Sequence, residues 1–196
     1  MALEKTPICN FGEKIYDFNL KSVDEKNYTL KNIAGKNGTL VMFICNHCPY
    51  VKAIIKELSS TALNLKKYNI NSVAIMSNDT ANYPDDSFDN MKKFDQKNHF
   101  SFPYLFDETQ EIAKKYGAVC TPDFFGYNSN HELQYRGRLR EMKDLVPVDG
   151  GKNELMEAMI EISQSKNGPK NQYPSMGCNI CLLYTSDAAD EGVCVV

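Results

Sequence analysis

The residues best suited to chemistry are Cys45 and Cys48, which are separated by two positions. The apolar run 39–44 leads into them and Pro49 follows, so they join a predicted buried strand to the first turn of a predicted helix. Free N–H groups and the positive end of a helix dipole lower a thiol pKa from its usual ~8.5. We therefore expect a nucleophilic thiolate on Cys45, with Cys48 resolving the mixed disulfide and closing an intramolecular one.

The residue His47, between the two cysteines, can add positive charge or a hydrogen bond to the thiolate and so make the pair more oxidising. The alternative is that Cys45 and Cys48 are two of the four ligands of a structural zinc ion. The other two would be Cys178 and Cys181, which form a second Cys-x-x-Cys. However, residues 181–191 resemble the translation of a transposase adaptor used in sequencing libraries. We therefore expect 181–196 to be an artefact, and the Cys45–Cys48 pair to be redox-active without metal.

The bulk composition excludes several classes of function. The chain has 196 residues, of which 42% are hydrophobic and 24% charged, as in a single globular domain. A net charge of −3 offers no basic patch for nucleic acid. No apolar run nears the ~20 residues that span a bilayer, and the first residues lack a signal-peptide pattern. We expect a cytoplasmic protein, where spaced cysteines usually serve catalysis or metal binding.

The elements around the dithiol are predicted from hydrophobic periodicity and turn residues. After an irregular arm, the predicted elements are a hairpin over 17–20 and 27–30, strand 39–44, a helix from 49 to 65, strand 70–76, loop 78–86, helix 87–97, strand 104–106, helix 109–116, a hairpin of 123–127 with 133–139, and helix 153–163. This alternation predicts a mixed α/β sheet with helices on both faces. We expect residues 1–165 to form one domain and residues 166–180 to form a polar, poorly ordered tail.

Several further segments match one known family in order, from about residue 10 to 165. They are Asp17-Phe18-x-Leu20, Phe102-Pro103 with Asp107, Lys115-Tyr116-Gly117-Ala118, Val119-Cys120-Thr121-Pro122-Asp123 and Tyr135-Arg136-Gly137-Arg138. With the dithiol, they resemble the thioredoxin superfamily and, within it, cytosolic redoxins related to alkyl hydroperoxide reductase/thiol-specific antioxidant (AhpC/TSA) proteins. The resemblance implies a thioredoxin-like fold with a central mixed sheet, flanking helices and an N-terminal hairpin extension.

The same resemblance implies a role for Thr121 and Pro122. Their peptide bond would be cis and would face the dithiol. It would leave a backbone edge free to pair with an incoming substrate, and it would discourage metal binding. Cys120, the preceding residue, is then a candidate third redox thiol, with simple burial as the alternative. Cys178 could resolve a mixed disulfide, although we expect it to be idle, and we predict no role for Cys9.

Two enzymatic reactions fit these residues, and a third interpretation is a redox sensor without turnover. The first reaction is thiol–disulfide exchange by Cys45 and Cys48. The second is peroxide reduction through a sulfenic acid. Peroxiredoxins usually carry threonine or serine three residues before the reactive cysteine, and an arginine that holds the peroxide. Here Met42 precedes Cys45, and the three arginines all lie between 136 and 140.

We therefore expect a thiol–disulfide oxidoreductase, with peroxidase action as the weaker alternative. The expected substrates are protein or small-molecule disulfides for the first reaction, and peroxide for the second. The electron donor would be a thiol such as thioredoxin or glutathione. The sequence suggests no bound cofactor, nucleic acid or membrane partner.

Overall fold

The computed structural model describes residues 3–180. Its strands are β1 Leu3–Lys5, β2 Asn19–Ser22, β3 Asn27–Thr29, β4 Gly38–Phe43, β5 Ile70–Met76, β6 Tyr104–Phe106, β7 Cys120–Thr121, β8 Asp123–Asn128, β9 Leu133–Tyr135, β10 Met142–Lys143, β11 Val146–Pro147 and β12 Met176–Asn179. Its helices are α1 Leu30–Ile33, α2 Pro49–Leu65, α3 Phe88–Asn98, α4 Glu111–Tyr116 and α5 Glu154–Ser165, with 3₁₀ turns at Lys66–Tyr68 and Pro84–Asp86. Within this described range, no helix has the length and apolar character needed to cross a membrane.

Strand β4 lies near the middle of a seven-stranded sheet of order β3-β2-β6-β5-β4-β8-β9. It runs parallel to β5 and antiparallel to β8, and every one of its residues is buried. Successive side chains of a strand point to opposite faces. Accordingly Leu40 and Met42 belong to a core cluster with residues of α2 and α5, whereas Val41 and Phe43 belong to one with residues of α1 and α4. The predicted mixed sheet with helices on both faces is confirmed.

Helix α2 begins at Pro49, and Cys48 is its N-cap. Proline is well tolerated in this first turn because its missing N–H would have no partner there. The buried stripe of α2 comprises Val51, Ile54, Ile55, Leu58, Thr61, Ala62 and Leu65. Since β4 ends at Phe43 and α2 starts at Pro49, core packing holds both ends of the short connection that carries the cysteines.

The hairpin of β8 and β9 is shorter than predicted, because β9 ends at Tyr135 rather than at residue 139. Beyond that point the chain bonds to the C-terminal segment instead of to β8. The amide of Arg136 donates to the side chain of Gln172 at 2.8 Å, and the amide of Arg138 donates to the carbonyl of Tyr173 at 2.8 Å. Long-range partners of this kind leave no local sequence signal.

The prediction of a poorly ordered tail is wrong. Residues 176–179 form β12, the middle strand of a second sheet of order β1-β12-β7. The N-terminal arm, predicted to be irregular, supplies β1. Cys178 pairs with Thr121 of β7 and with Leu3 of β1, so both edges of the segment are hydrogen-bonded. The tail thus becomes part of the surroundings of the dithiol.

Candidate active site

The dithiol lies against Thr121 on β7. The Cys45 Sγ is 3.3 Å from the Thr121 hydroxyl oxygen, and the Cys48 Sγ is 3.1 Å from the Thr121 carbonyl oxygen. The Thr121–Pro122 peptide bond is cis. The cis bond and its position facing the dithiol, both implied by the family resemblance, are confirmed. Both cysteines have 0% exposed surface, so reagents must pass other residues to reach them.

A buried carboxylate, Asp86, fixes the loop between the cysteines. It accepts hydrogen bonds from the amides of Asn46 at 2.8 Å and His47 at 3.3 Å, and from the side chain of Asn78 at 2.8 Å. Tyr104 donates to the side-chain oxygen of Asn46 at 2.9 Å. Hydrogen bonds from N–H groups to an ionised carboxylate are stronger than those between neutral groups, so Asp86 holds this loop firmly. The side chain of Asp86 is itself fully buried, so these hydrogen bonds are its partners in place of water.

The imidazole of His47 is engaged by the same carboxylate. Its Nδ1 lies 2.6 Å from Asp86 Oδ2, and its ring stacks on Tyr83 at 5.4 Å between centroids. The hydrogen bond to Asp86 raises the pKa of His47 and so favours the imidazolium. One nitrogen of the His47 ring lies within 4.8 Å of the Cys45 Sγ. This arrangement is consistent with the predicted positive charge on His47 beside the dithiol, although that charge is paired with the carboxylate of Asp86.

The two thiols differ in acidity. The pKa of Cys48 is lowered to about 5, first because Cys45 donates a hydrogen bond to its sulfur and also through backbone N–H groups of Cys178 and Val51. The pKa of Cys45 is raised by that same hydrogen bond, by burial and by the charge of Asp86. One contact opposes this shift, because the Thr121 carbonyl can accept a hydrogen bond only from a protonated Cys48.

This arrangement lowers the pKa of Cys48 and raises that of Cys45, which is opposite to the direction expected for Cys45 from the sequence. The reason is positional, since Cys48 is the N-cap of α2 while Cys45 lies farther from the helix and nearer to Asp86. Which sulfur attacks a substrate is a separate question. The predicted nucleophile, Cys45, stays a prediction.

The edge of β7 is not free, contrary to the expectation of an open substrate groove. Strand β12 pairs with it, placing Cys178 opposite Thr121 and Asn179 opposite Cys120. The Cys178 Sγ lies 3.2 Å from the Cys48 Sγ. Glycine at 177 permits this approach, because a Cβ there would lie 2.0 Å from the Thr121 carbonyl oxygen. A segment of the chain itself thus occupies the expected substrate position.

The remaining described cysteines are placed less favourably for exchange. Cys120 is fully buried, its sulfur lies 3.6 Å from the Pro122 carbonyl, and burial raises its pKa. Cys9 is half-buried, and burial raises its pKa to about 11. A redox role for Cys120 stays a prediction. Cys181 and Cys194, like the whole predicted artefact 181–196, lie outside the described residues.

Each arginine is bound to a carboxylate on another element. Arg136 bonds Asp123 at 2.9 Å, Arg138 bonds Glu154 at 2.8 Å, and Arg140 bonds Glu57 at 3.2 Å. Of these, Arg136 is the most enclosed, since it is 8% exposed and its guanidinium also stacks over Phe125 at 4.4 Å. The guanidinium of Arg136 is thus held in place by Asp123 and Phe125.

Among residues 3–180, one group of side chains has donor atoms close enough together to hold a metal ion. Atoms of Cys45, His47 and Asp86 lie within 4.8 Å of one another. However, both oxygens of Asp86 already accept hydrogen bonds, from Asn46 and His47 on one and from His47 and Asn78 on the other. In this structure the Asp86 carboxylate of the group holds the loop between the cysteines through these hydrogen bonds.

A cavity of about 400 Å³ opens beside Pro122. Its lining includes Tyr50, Leu139, Tyr173 and Met176. The last two side chains are 57% and 38% exposed, respectively. Since Lys5, Arg138, Arg140 and Asp144 also line it, the cavity offers both apolar and charged contacts beside the cis-proline.

Sequence reasoning missed Asp86, and it named Cys178 only as a thiol that could resolve a mixed disulfide but was expected to be idle. Asp86 contacts a loop 40 positions away, and nothing in its local sequence indicates burial. For Cys178 a signal existed. Met176, Cys178 and Ile180 alternate with polar or small residues, which is typical of a strand.

Comparisons with known proteins show proteins of similar fold and sequence. An uncharacterized conserved protein from Geobacillus kaustophilus has a TM-score of 0.88 and 36% identity, covering 96% of this chain and 99% of its own. A hypothetical protein from Sinorhizobium meliloti 1021 has a TM-score of 0.84 and 32% identity, covering 92% and 98%. The fold is shared with a secreted Mycobacterium tuberculosis disulfide oxidoreductase at a TM-score of 0.53 and 17% identity, covering 64% and 87%.

No curated protein matches this chain. The family model described as AhpC/TSA matches residues 11–142, a stretch that includes the dithiol, Asp86 and the cis-proline. The chain therefore belongs to the AhpC/TSA family of thioredoxin-like thiol oxidoreductases and peroxidases.

Proposed function

We propose that this protein is a thiol–disulfide oxidoreductase in which Cys45 is the nucleophile and Cys48 the resolving thiol. The observation that carries the proposal is the contact of both sulfurs with Thr121, the residue before the cis-proline, at a strand edge that accepts an extended segment. The cavity beside Pro122 supports polypeptide disulfides as substrates. The electron donor would be a thiol protein or glutathione in the cytoplasm, with no bound cofactor.

The hydrogen bond between the two thiols supplies the proton transfer that exchange requires. Cys45 attacks one sulfur of a substrate disulfide while its proton passes to the Cys48 thiolate. A bond forms between Cys45 and that sulfur, the substrate S–S bond breaks, and the other substrate sulfur leaves as a thiolate that takes a proton from water. Cys48 then attacks Cys45, and its proton goes to the second departing sulfur. The substrate gains two electrons, and the protein ends with a Cys45–Cys48 disulfide.

Peroxide reduction is the alternative within the same family. It is disfavoured here because Met42 replaces the usual hydroxyl residue and because the three arginines are bound to carboxylates. Measured side by side, disulfide reduction should therefore be much faster than consumption of hydrogen peroxide. Rapid peroxide turnover that survives in Cys48→Ser would contradict the proposal.

The deciding experiment is a redox titration against glutathione with trapping of free thiols and mass mapping. We expect a Cys45–Cys48 disulfide with a potential less negative than the ~−270 mV of thioredoxin, because a stabilised thiolate favours the reduced form. Cys9→Ser is the matched control and should leave the titration unchanged. Absence of this disulfide at every poise, with zinc bound by the reduced protein, would overturn the proposal.

A further inference from the structure

The strand β12 is held in the groove along its whole length. The Ser175 hydroxyl donates to the Pro122 carbonyl at 2.7 Å, and the Ile180 amide donates to the Val119 carbonyl at 3.1 Å. On the other edge, the Thr6 amide donates to the Ser175 carbonyl at 2.9 Å. These contacts bracket Cys178, which is 7% exposed. Its position is thus set by the fold.

The position of Cys178 is that of a reacting sulfur. Its Sγ lies 3.2 Å from the Cys48 Sγ, and a disulfide requires ~2.05 Å, so an approach of about 1.2 Å would join them. Cys178 also lies opposite Thr121 in the strand register, next to the cis-proline. In contrast, the sulfur of Cys120 contacts the carbonyl oxygen of Pro122 and not another sulfur.

We propose that Cys178 is a third redox thiol, which attacks Cys48 and moves the disulfide from Cys45–Cys48 to Cys48–Cys178. The inference rests on the proposed function. A Cys178 thiolate forms a bond to the Cys48 Sγ, the Cys45–Cys48 bond breaks, and Cys45 leaves as a thiolate that takes up the proton lost by Cys178. The step is an exchange within the protein and consumes no oxidant. The earlier oxidation by the substrate disulfide supplies the disulfide that moves.

This transfer would return Cys45 to its reduced form while the protein as a whole stays oxidised, with one disulfide between Cys48 and Cys178. The strand that occupies the groove would then be covalently attached to the site. A thiol donor would complete the cycle by reducing Cys48–Cys178.

The test uses the full chain with Cys181 and Cys194 replaced by serine, so that mapped disulfides are unambiguous. In the Cys45→Ser variant, oxidised glutathione should give Cys48–Cys178 over a Cys48–glutathione adduct by at least about tenfold, because the internal thiol acts at high effective concentration. Mass mapping after alkylation measures the ratio. A stable glutathione adduct on Cys48 with Cys178 still open to alkylation would overturn the inference.

Two substitutions in β12 make a matched pair for the same measurement. Gly177→Ala should lower the ratio at least tenfold, since the new Cβ would collide with the Thr121 carbonyl, whereas Met176→Ala, which removes an exposed side chain, should preserve it. If Gly177→Ala does not fold, the Cys45→Ser ratio alone decides the question.

The two proposals fail in different ways. Loss of the proposed function appears as no Cys45–Cys48 disulfide in the Cys178→Ser variant, in which the disulfide cannot move to residue 178. Loss of the present inference appears as a normal Cys45–Cys48 disulfide together with no Cys48–Cys178 disulfide in the Cys45→Ser variant.

Discussion

Replacing Cys45 by alanine should raise the pKa of Cys48. The Cys48 thiolate, with a pKa of about 5, receives a hydrogen bond from Cys45. A hydrogen bond to a charged group contributes ~1.5–3 kcal/mol, and ~1.4 kcal/mol corresponds to one pKa unit, so the pKa should rise by about 1–2 units. At pH 6 the ionised fraction of Cys48 should therefore fall from about 90% to about 10–50%.

Thiolate absorbance at 240 nm, followed from pH 4 to 8 in the fully reduced protein, measures this fraction. The rate of alkylation of Cys48 over the same range is an independent readout. Cys48→Ala should remove the low-pH transition, while Cys9→Ala should leave it unchanged, because the pKa of Cys9 is raised to about 11.

The reasoning is refuted if Cys45→Ala removes the transition and Cys48→Ala keeps it. The thiolate would then reside on Cys45 in the resting protein. The Thr121 carbonyl beside Cys48, which accepts from the protonated thiol, would outweigh the amides of the helix end.

Three further predictions follow. Asp86→Asn should lower the pKa of His47, measured by NMR titration of the imidazole, because the hydrogen bond to Asp86 raises that pKa. Arg136→Met should destabilise the protein to urea by ~3–5 kcal/mol, since it leaves Asp123 buried without its cation. The unfolding free energy of the reduced protein, relative to Cys48→Ala, should rise with pH by up to ~1.4 kcal/mol per unit between pH 5.5 and 8. The sign follows because a pKa lowered to about 5 gives stability that is present at high pH and lost as pH falls.

Each of these predictions has its own control. Asn78→Ala removes another partner of Asp86 but keeps the charge, so the pKa of His47 should stay raised. Arg138→Met breaks a partly exposed pair with Glu154 and should cost clearly less than Arg136→Met. An equal cost would contradict the argument from burial. For the pH series, the oxidised protein has no Cys48 thiolate, so a slope that persists after oxidation would show that another group titrates.

The strands and helices that position the dithiol could be predicted because their signals are local. The continuous apolar run before Cys45 and the spaced stripe after Pro49 each report burial in a single element. Strand β5, predicted over 70–76, has those bounds. The cis bond before Pro122 came from the family resemblance, because its local sequence alone does not specify it.

The remaining features depend on contacts between distant parts of the chain. Asp86 is an ordinary acidic residue until folding places two loop amides against it. The pairing of β12 likewise depends on distant segments, because its partners come from β1 and β7. The acidity of the two thiols depends on which sulfur is nearer to the helix amides and which to Asp86, and spacing alone does not determine that.

The occupied groove has a consequence for how substrates compete. A polypeptide that adds to the β7 edge must first displace β12, which is tethered and therefore present at a high effective concentration. The observed affinity for such a substrate equals its intrinsic affinity multiplied by the fraction of molecules with β12 released. If a substrate enters only after β12 has opened, its turnover cannot be faster than that opening. Selectivity would then favour partners that hold the released strand away from the dithiol.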